Sequence, residues 1–174
     1  MNAALIHLNL SSLGGAERVF AATVEALNQA GLVPDVYTLT PASPSEISRF
    51  YRKKVRFKLR LIRPRLPGVY SKLALTLKLP ELARCDVVLN TSGSFTPFPL
   101  AGTCRRYLAY VYNPYPLYNP ALTPENQKYA RFPWRLYFEP YRGAALKTLK
   151  KARLLAVSSY TRARLRVLFG VDSL

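Results

Sequence analysis

The sequence predicts a single α/β domain over residues 1–174, an open and mostly parallel sheet of about six or seven strands with helices on both faces, Rossmann-like in type. Three observations lead there. Short apolar runs alternate with helix-length segments along the whole chain. The first run ends in Ser11-Ser12-Leu13-Gly14-Gly15, a turn that hands directly to an amphipathic segment. Strand, helix and strand at that spacing need a crossover, which joins parallel neighbours in the right-handed sense.

Each element has its own signal. Ala3–Leu10 is a short apolar run and reads as the first strand. Ala16–Ala30 places Ala16, Val19, Phe20, Thr23 and Leu27 on one helical face, and Gly31 closes it. Asp35–Thr40 is a second strand. Ser45–Arg52 is a short helix with Pro44 and Ser45 at its start. Val55–Ile62 alternates Val, Phe and Leu with Arg and Lys, the period of a half-buried strand. Gly68–Leu79 reads as a helix ended by Pro80, and Asp86–Asn90 and Tyr107–Tyr112 as two buried strands. A proline-rich loop, Asn113–Pro124, leads into a helical region, Pro133–Lys151, interrupted near Pro140 and Gly143. Leu154–Val157 is the last strand. Ser158 or Ser159 caps a helix that runs to Phe169 and ends at Gly170.

Apolar residues make up 49% of the chain and charged residues 20%, a globular balance. The charge is one-sided: 26 Lys and Arg against 9 Asp and Glu, a formal net of +17. A field of that sign suits polyanions, phosphorylated ligands or anionic membranes. Two cysteines, Cys85 and Cys104, are too few for a secreted disulfide scaffold, and both read as buried thiols. One histidine and no Cys-x-x-Cys spacing argue against a zinc site, so no metal is expected. A metal-dependent or Ser-His-Asp hydrolase would have to run on His7 alone, which excludes that class. His7 itself lies within the first strand pattern and reads as a satisfied core histidine.

The opening residues carry no basic segment and no cleavage site of an export signal. Two long uncharged stretches, Val87–Cys104 and Tyr107–Pro124, contain Pro97, Pro99, Pro114, Pro116, Pro120 and Pro124, and neither can run through lipid as one helix. The expected setting is cytoplasmic, peripheral at the inner membrane face.

Four places carry candidate chemistry. Gly14 and Gly15 sit where the first strand feeds the first helix, where missing Cβ atoms permit positive φ and close approach, and the helix start favours an anion. The plain alternative is a tight turn without a ligand. The spacing is not Gly-x-Gly-x-x-Gly, so no nicotinamide cofactor is expected, nor any other cofactor. Asn90, Thr91, Ser92 and Gly93 follow a strand, at the sheet edge where open α/β folds collect ligands, although a capping turn explains them too. Tyr112 and Asn113 end another strand and would face the same crevice. Between Arg49 and Lys78 stand eleven Lys and Arg with no Asp or Glu. Arg52, Lys53, Lys54, Arg56, Lys58 and Arg60 form its densest part, either a solvated face or a patch for membrane or polyanion. Nucleic acid is disfavoured as the partner, because no nucleic-acid motif accompanies the charge.

Four segments together resemble a known family. Gly14-Gly15-Ala16-Glu17-Arg18, Asp86-Val87-Val88-Leu89-Asn90-Thr91, Tyr110-Val111-Tyr112-Asn113-Pro114, and Leu155-Ala156-Val157-Ser158-Ser159-Tyr160-Thr161 with Arg164–Val171 are similar, in order, to motifs of family 4 glycosyltransferases of the GT-B fold. The resemblance implies half of a GT-B enzyme: the amino-terminal, acceptor-side domain of a retaining hexosyltransferase. It implies a nucleotide sugar as donor and a glycan or lipid-linked acceptor, with Gly14, Gly15, Asn90–Gly93, Tyr112 and Asn113 at the substrate. The family's usual histidine falls on Tyr112, so the catalytic group is unassigned. The carboxyl-terminal nucleotide-sugar domain is expected to be absent from this chain, either carried on another chain or lost, and the isolated chain is expected to be inactive. A homodimer is a further way to cover the exposed face. The other class of function consistent with the residues is a non-catalytic basic module, for anionic membrane or nucleic acid, that retains the fold.

Overall fold

The computed structural model describes residues 1–64, 74–75, 77–92, 104–112, 131–133, 135–136, 139, 143, 149 and 151–174. Six strands form one sheet: β1 (Ala3–Ile6), β2 (Asp35–Thr38), β3 (Lys58–Leu61), β4 (Val87–Asn90), β5 (Tyr107–Val111) and β6 (Arg153–Ala156). Their order is β3-β2-β1-β4-β5-β6, and every pairing is parallel. This is the doubly wound Rossmann arrangement that the alternating runs predict. Four helices are described beside it: α1 (Gly15–Gln29), α2 (Pro44–Tyr51), α3 (Leu79–Leu82) and α4 (Ser159–Phe169).

The central strand β1 is buried at all four positions, as a parallel strand covered on both faces must be. Leu5 and Val36 point into one core, filled by Phe20, Ala21 and Val24 of α1, Ile47 of α2, and Val55 and Phe57 before β3. Ala4, Ile6 and Val88 point into the other, with Leu82 of α3 and Leu165 of α4. Helices therefore lie on both faces. Cys85 and Cys104 are free, buried thiols of this second core. Their Sγ–H groups donate to the carbonyls of Glu81 and Leu82, at 3.7 and 3.6 Å.

Element ends follow local chemistry. Ser158 is the cap of α4, its Oγ accepting from Thr161 N–H at 3.1 Å. Gly170 closes the helix with φ 62, the left-handed conformation that glycine adopts without a Cβ clash. Ser43 and Glu46 form a capping box on α2. Pro80 departs from expectation. It sits in the first turn of α3 instead of ending a helix, because a proline there gives up an N–H that has no helical partner. Of the expected Gly68–Leu79 helix, positions 74 and 75 are described and helical. The Asn113–Pro124 loop lies outside the described residues, as does most of Pro133–Lys151.

β3 is the sheet edge. Lys54, Arg56, Lys58 and Arg60 are exposed, while Val55 and Phe57 between them are buried, so the alternation continues through the lead-in as well as the strand. Lys53 is ion-paired with Glu25, and Arg60 with Asp35 at 2.9 Å. After α4 the chain turns back beside β6. Leu174 N–H donates to Leu154 O at 2.9 Å, and Ala156 N–H donates to Leu174 O at 3.0 Å, the bond pattern of a parallel neighbour. Among the described residues no helix is long and apolar enough to cross a membrane.

Candidate functional site

From β1 the chain winds to β2 on one side and later to β4 on the other. The strand order reverses between β1 and β4, and the crevice of such a sheet opens at the carboxyl ends of those two strands. Gly14 and Gly15 follow β1 at that edge, and Asn90, Thr91 and Ser92 stand at the end of β4.

The turn is built around Glu17, a carboxylate one turn inside α1 that is only 5% exposed. Its Oε2 accepts from Gly14 N–H at 2.7 Å, and its Oε1 from Ser12 Oγ–H at 2.6 Å. Oε1 also lies 3.3 Å from His7 Nε2. Burial pushes this carboxyl up. The Ser12 hydroxyl, its own backbone N–H, His7 and the Gly14 amide outweigh burial and hold it below the ordinary carboxylate value. An ionised carboxylate only accepts, so His7 carries its proton on Nε2 and donates to Glu17. Nδ1, left as an acceptor, takes Thr91 Oγ–H at 3.0 Å. Burial pushes the His7 imidazole below its usual value more than the Glu17 hydrogen bond and charge raise it, so the ring is neutral. Phe20 packs on it with ring centroids 5.2 Å apart. His7 is thus the satisfied core histidine that its strand position predicts. What the sequence did not reveal is that it ties β4 to the glycine turn. Glu17 at the third helical position was a capping signal in plain view, but its contact with a residue on β1 is a product of the fold.

The left-handed residue of this turn is not a glycine. Gly14 has φ −98 and caps the helix, while Leu13 has φ 49, a conformation that costs a leucine about 1–2 kcal/mol. A Cβ on Gly14 would lie 3.2 Å from Glu17 Oε2, whereas a Cβ on Gly15 would meet nothing within 4 Å. The two glycines therefore do different things: Gly14 makes room for the carboxylate, and Gly15 leaves open space in front of the helix start.

The remaining sequence candidates divide. Asn90 is buried, its Nδ2 donating to Tyr107 Oη and its Oδ1 accepting from Ser92 N–H, both at 3.0 Å. Ser92 Oγ accepts from Leu8 N–H at 3.0 Å. Thr91, 2% exposed, is bound to His7. These three side chains brace the β1–β4 edge. Tyr112 follows β5, and among the described residues its buried hydroxyl has no hydrogen-bond partner. Burial, with help from Tyr110 and the Glu17 charge, pushes that hydroxyl up to about 12. Gly93 and Asn113 lie outside the described residues. Of the basic patch, Lys54, Arg56, Lys58 and Arg60 line the β3 edge on the far side of β2 from this crevice.

A feature with no sequence signal lies beside the glycine turn. A cleft of about 550 Å³ runs between α2 and the β1–α1 turn, lined by Leu10, Leu13, Ala42, Ile47, Arg49 and Phe50 among others. Tyr51 Oη–H donates to Gly14 O at 2.8 Å and fixes α2 against the turn. Arg52, at the end of α2, also lines the cleft and is held in the left-handed region with φ 52.

The model of Glycosyltransferase Family 4 matches residues 13–173. No curated protein matches the chain. Among solved structures, a glycosyltransferase from Rickettsia africae ESF-5 superposes with a TM-score of 0.52 at 15% identity, covering 98% of this chain and 40% of that one. A ugt transferase from Siraitia grosvenorii, solved in complex with UDP, gives a TM-score of 0.49 at 10% identity, over 97% of this chain and 48% of that one. This chain thus spans less than half the length of either structure.

Two outcomes follow from the Glu17 network. His7 binds its proton less readily when folded, so stability is full above an unfolded imidazole's value of about 6.5 and falls as the pH drops below it. Glu17 adds a second loss at lower pH, below its unfolded value of about 4.5. In urea titrations, His7→Gln is expected to flatten the slope that sets in below about pH 6.5 while leaving the loss that sets in below about pH 4.5; an unchanged slope would assign it to other groups. Gly14→Ala is expected to lower stability by about 1 kcal/mol, because Glu17 cannot yield without lengthening its bond to Gly14. Gly15→Ala should leave stability unchanged or higher, since alanine is the better helix residue and meets no clash. Thermal melts of the two variants side by side decide it.

Proposed function

Because the chain belongs to glycosyltransferase family 4, we propose that it is the acceptor-side half of a retaining glycosyltransferase, moving a sugar from a nucleotide sugar to a lipid-linked or phosphorylated glycan. In this reading residues 1–174 form one Rossmann-like domain, and a carboxyl-terminal nucleotide-sugar domain, in the same protein or on another chain, completes the enzyme. The observation that carries the reading is the glycine turn at the switch point, where a Cβ on Gly15 would meet nothing within 4 Å at the positive end of α1. An acceptor hydroxyl attacks the anomeric carbon, the nucleoside diphosphate leaves with the bonding electrons, and the hydroxyl proton departs with it. The open space at Gly15 lets the diphosphate or the transferred sugar come up to the helix start, where negative charge is favoured. Tyr112, with an unpartnered hydroxyl held neutral well above physiological pH, is assigned to the substrate side as a hydrogen-bond donor. The braced Asn90–Thr91–Ser92 edge holds the wall of the crevice, and Gly93 and Asn113 are assigned to the substrate from the family resemblance alone.

The isolated chain is expected to transfer sugar at a negligible rate, since groups on both sides of the reacting carbon must be preorganised. Adding a nucleotide-sugar domain of the same family should restore turnover, and Gly15→Ala should then reduce kcat/KM by at least about tenfold at unchanged stability. Ordinary turnover by the isolated chain in a radiolabelled transfer assay would defeat the two-part reading.

The β3 edge supports a membrane address for the acceptor. Lys54, Arg56 and Lys58 stand exposed in one row, flanked by Arg52 and by the paired Lys53 and Arg60. Such charges attract anionic headgroups by roughly 1 kcal/mol each near the surface, and salt weakens them. In vesicle sedimentation we expect binding to anionic but not neutral lipid, reduced by joint substitution of Lys54, Arg56 and Lys58 with Ser. Equal binding by wild type and variant would leave the row as a solvated edge. Tighter, equally salt-sensitive binding to an oligonucleotide would favour the non-catalytic module.

A further inference from the structure

We propose that the cleft between α2 and the β1–α1 turn binds a phosphate group carried on an apolar chain, with Arg49 and Arg52 holding the phosphate and Leu13 and Phe50 holding the chain. This deepens, and rests on, the acceptor-side reading, because it names the chemical class of acceptor.

The lining has two characters. Leu10 and Ile47 are fully buried and form an apolar floor, with Leu13 and Ala42 beside them. Phe50 is 56% exposed at the rim, its ring set edge-on to Tyr51 with centroids 4.9 Å apart, so its outer face is open to the cleft. Arg49 and Arg52, also in the lining, are exposed, and among the described residues neither guanidinium makes an ion pair or hydrogen bond. Two unpaired planar donors beside an apolar floor match an anion that two forks can grip, attached to something hydrophobic. A purely polar phosphate would leave the floor unused, and a neutral lipid would leave both cations unused.

The one acidic residue in the lining does not oppose this. Glu46 is turned toward the start of α2, accepting from Ser43 N–H and Ser43 Oγ–H, each at 3.0 Å. Those bonds, and to a smaller extent the charge of Arg49, hold its carboxyl below the ordinary value, so most of what steadies it comes from the helix cap and Arg49 keeps its guanidinium donors for a ligand.

Backbone conformation supplies an independent reason. Among the described residues only two that are not glycine have positive φ, Leu13 at 49 and Arg52 at 52, and both line this cleft. A glycine would relieve either position, yet a long apolar and a long cationic side chain stand there. Strain of this kind persists where the side chain is needed for something other than folding.

The test titrates the 174-residue chain by calorimetry with dodecyl phosphate, inorganic phosphate and dodecyl maltoside, each below its micellar concentration. Dodecyl phosphate is expected to bind one to one, at least about tenfold tighter than either of the others. Arg49→Gln and Arg52→Gly should each weaken it by about tenfold or more. Arg52→Gly should at the same time hold or raise Tm, since glycine removes the left-handed strain, so lost binding cannot be put down to lost fold. Joint substitution of Lys54 and Lys58 with Ser should leave this affinity within about twofold, separating the cleft from the β3 edge. Equal affinity for the maltoside, equal affinity for inorganic phosphate, or unchanged binding in both arginine variants would overturn the proposal. Intact dodecyl phosphate binding with no sugar transfer to any phosphorylated acceptor would instead defeat the acceptor reading and leave the cleft assignment standing.

Discussion

The crevice depends on one buried carboxylate. Glu17 gathers the Gly14 amide, the Ser12 hydroxyl and the His7 ring around two oxygens, and through His7 it reaches Thr91 on the other side of the switch point. Strand, turn and helix are thereby held by charge-assisted bonds to one carboxylate, and the neutral His7–Thr91 bond carries the set on to the end of the neighbouring strand. Remove the carboxylate and three donors lose their acceptor at once, the buried His7 ring among them, a larger disturbance than the loss of any one contact. The helix start can then present open space at Gly15 because everything behind it is immobilised.

The fold was legible because it is written in periods and punctuation. The β1 and β4 runs are apolar without alternation, as strands covered on both faces are. The Val55–Ile62 segment alternates, and it became the lead-in and edge of the sheet, where one side meets water. Ser158 and Gly170 announced both ends of α4. Pro80 misled because proline breaks a helix from inside but opens one from its first turn, and the sequence does not say which side of the boundary it occupies.

The site was legible only in part, for a different reason. Gly14, Gly15 and the Asn90–Ser92 turn stood out as polar or small residues next to strands, and the sheet places them at one edge. Their bonds did not stand out. The partners of His7 are ten and eighty-four residues away, and no period marks a contact made by topology alone. Positive φ was expected at the Gly14–Gly15 turn and falls there on Leu13 instead; it also falls on Arg52, a second position where composition points the other way. The cleft beside α2 escaped notice for that reason: its distinguishing feature is a backbone state that these residue types disfavour.

The return of the chain at Leu174 bears on how two halves could meet. Its parallel bonds to Leu154 and Ala156 aim the backbone along β6, toward the same edge of the sheet that carries the glycine turn. A partner domain joined there by a short flexible linker would be delivered to the mouth of the crevice, not to its back. Tethering of that kind turns encounter into an intramolecular event at millimolar effective concentration, so even a weak interface between halves would be occupied most of the time. Leu174 itself is held to β6 by both its N–H and its carbonyl, so the outer side of β6 is covered at Leu155 rather than left open to another strand.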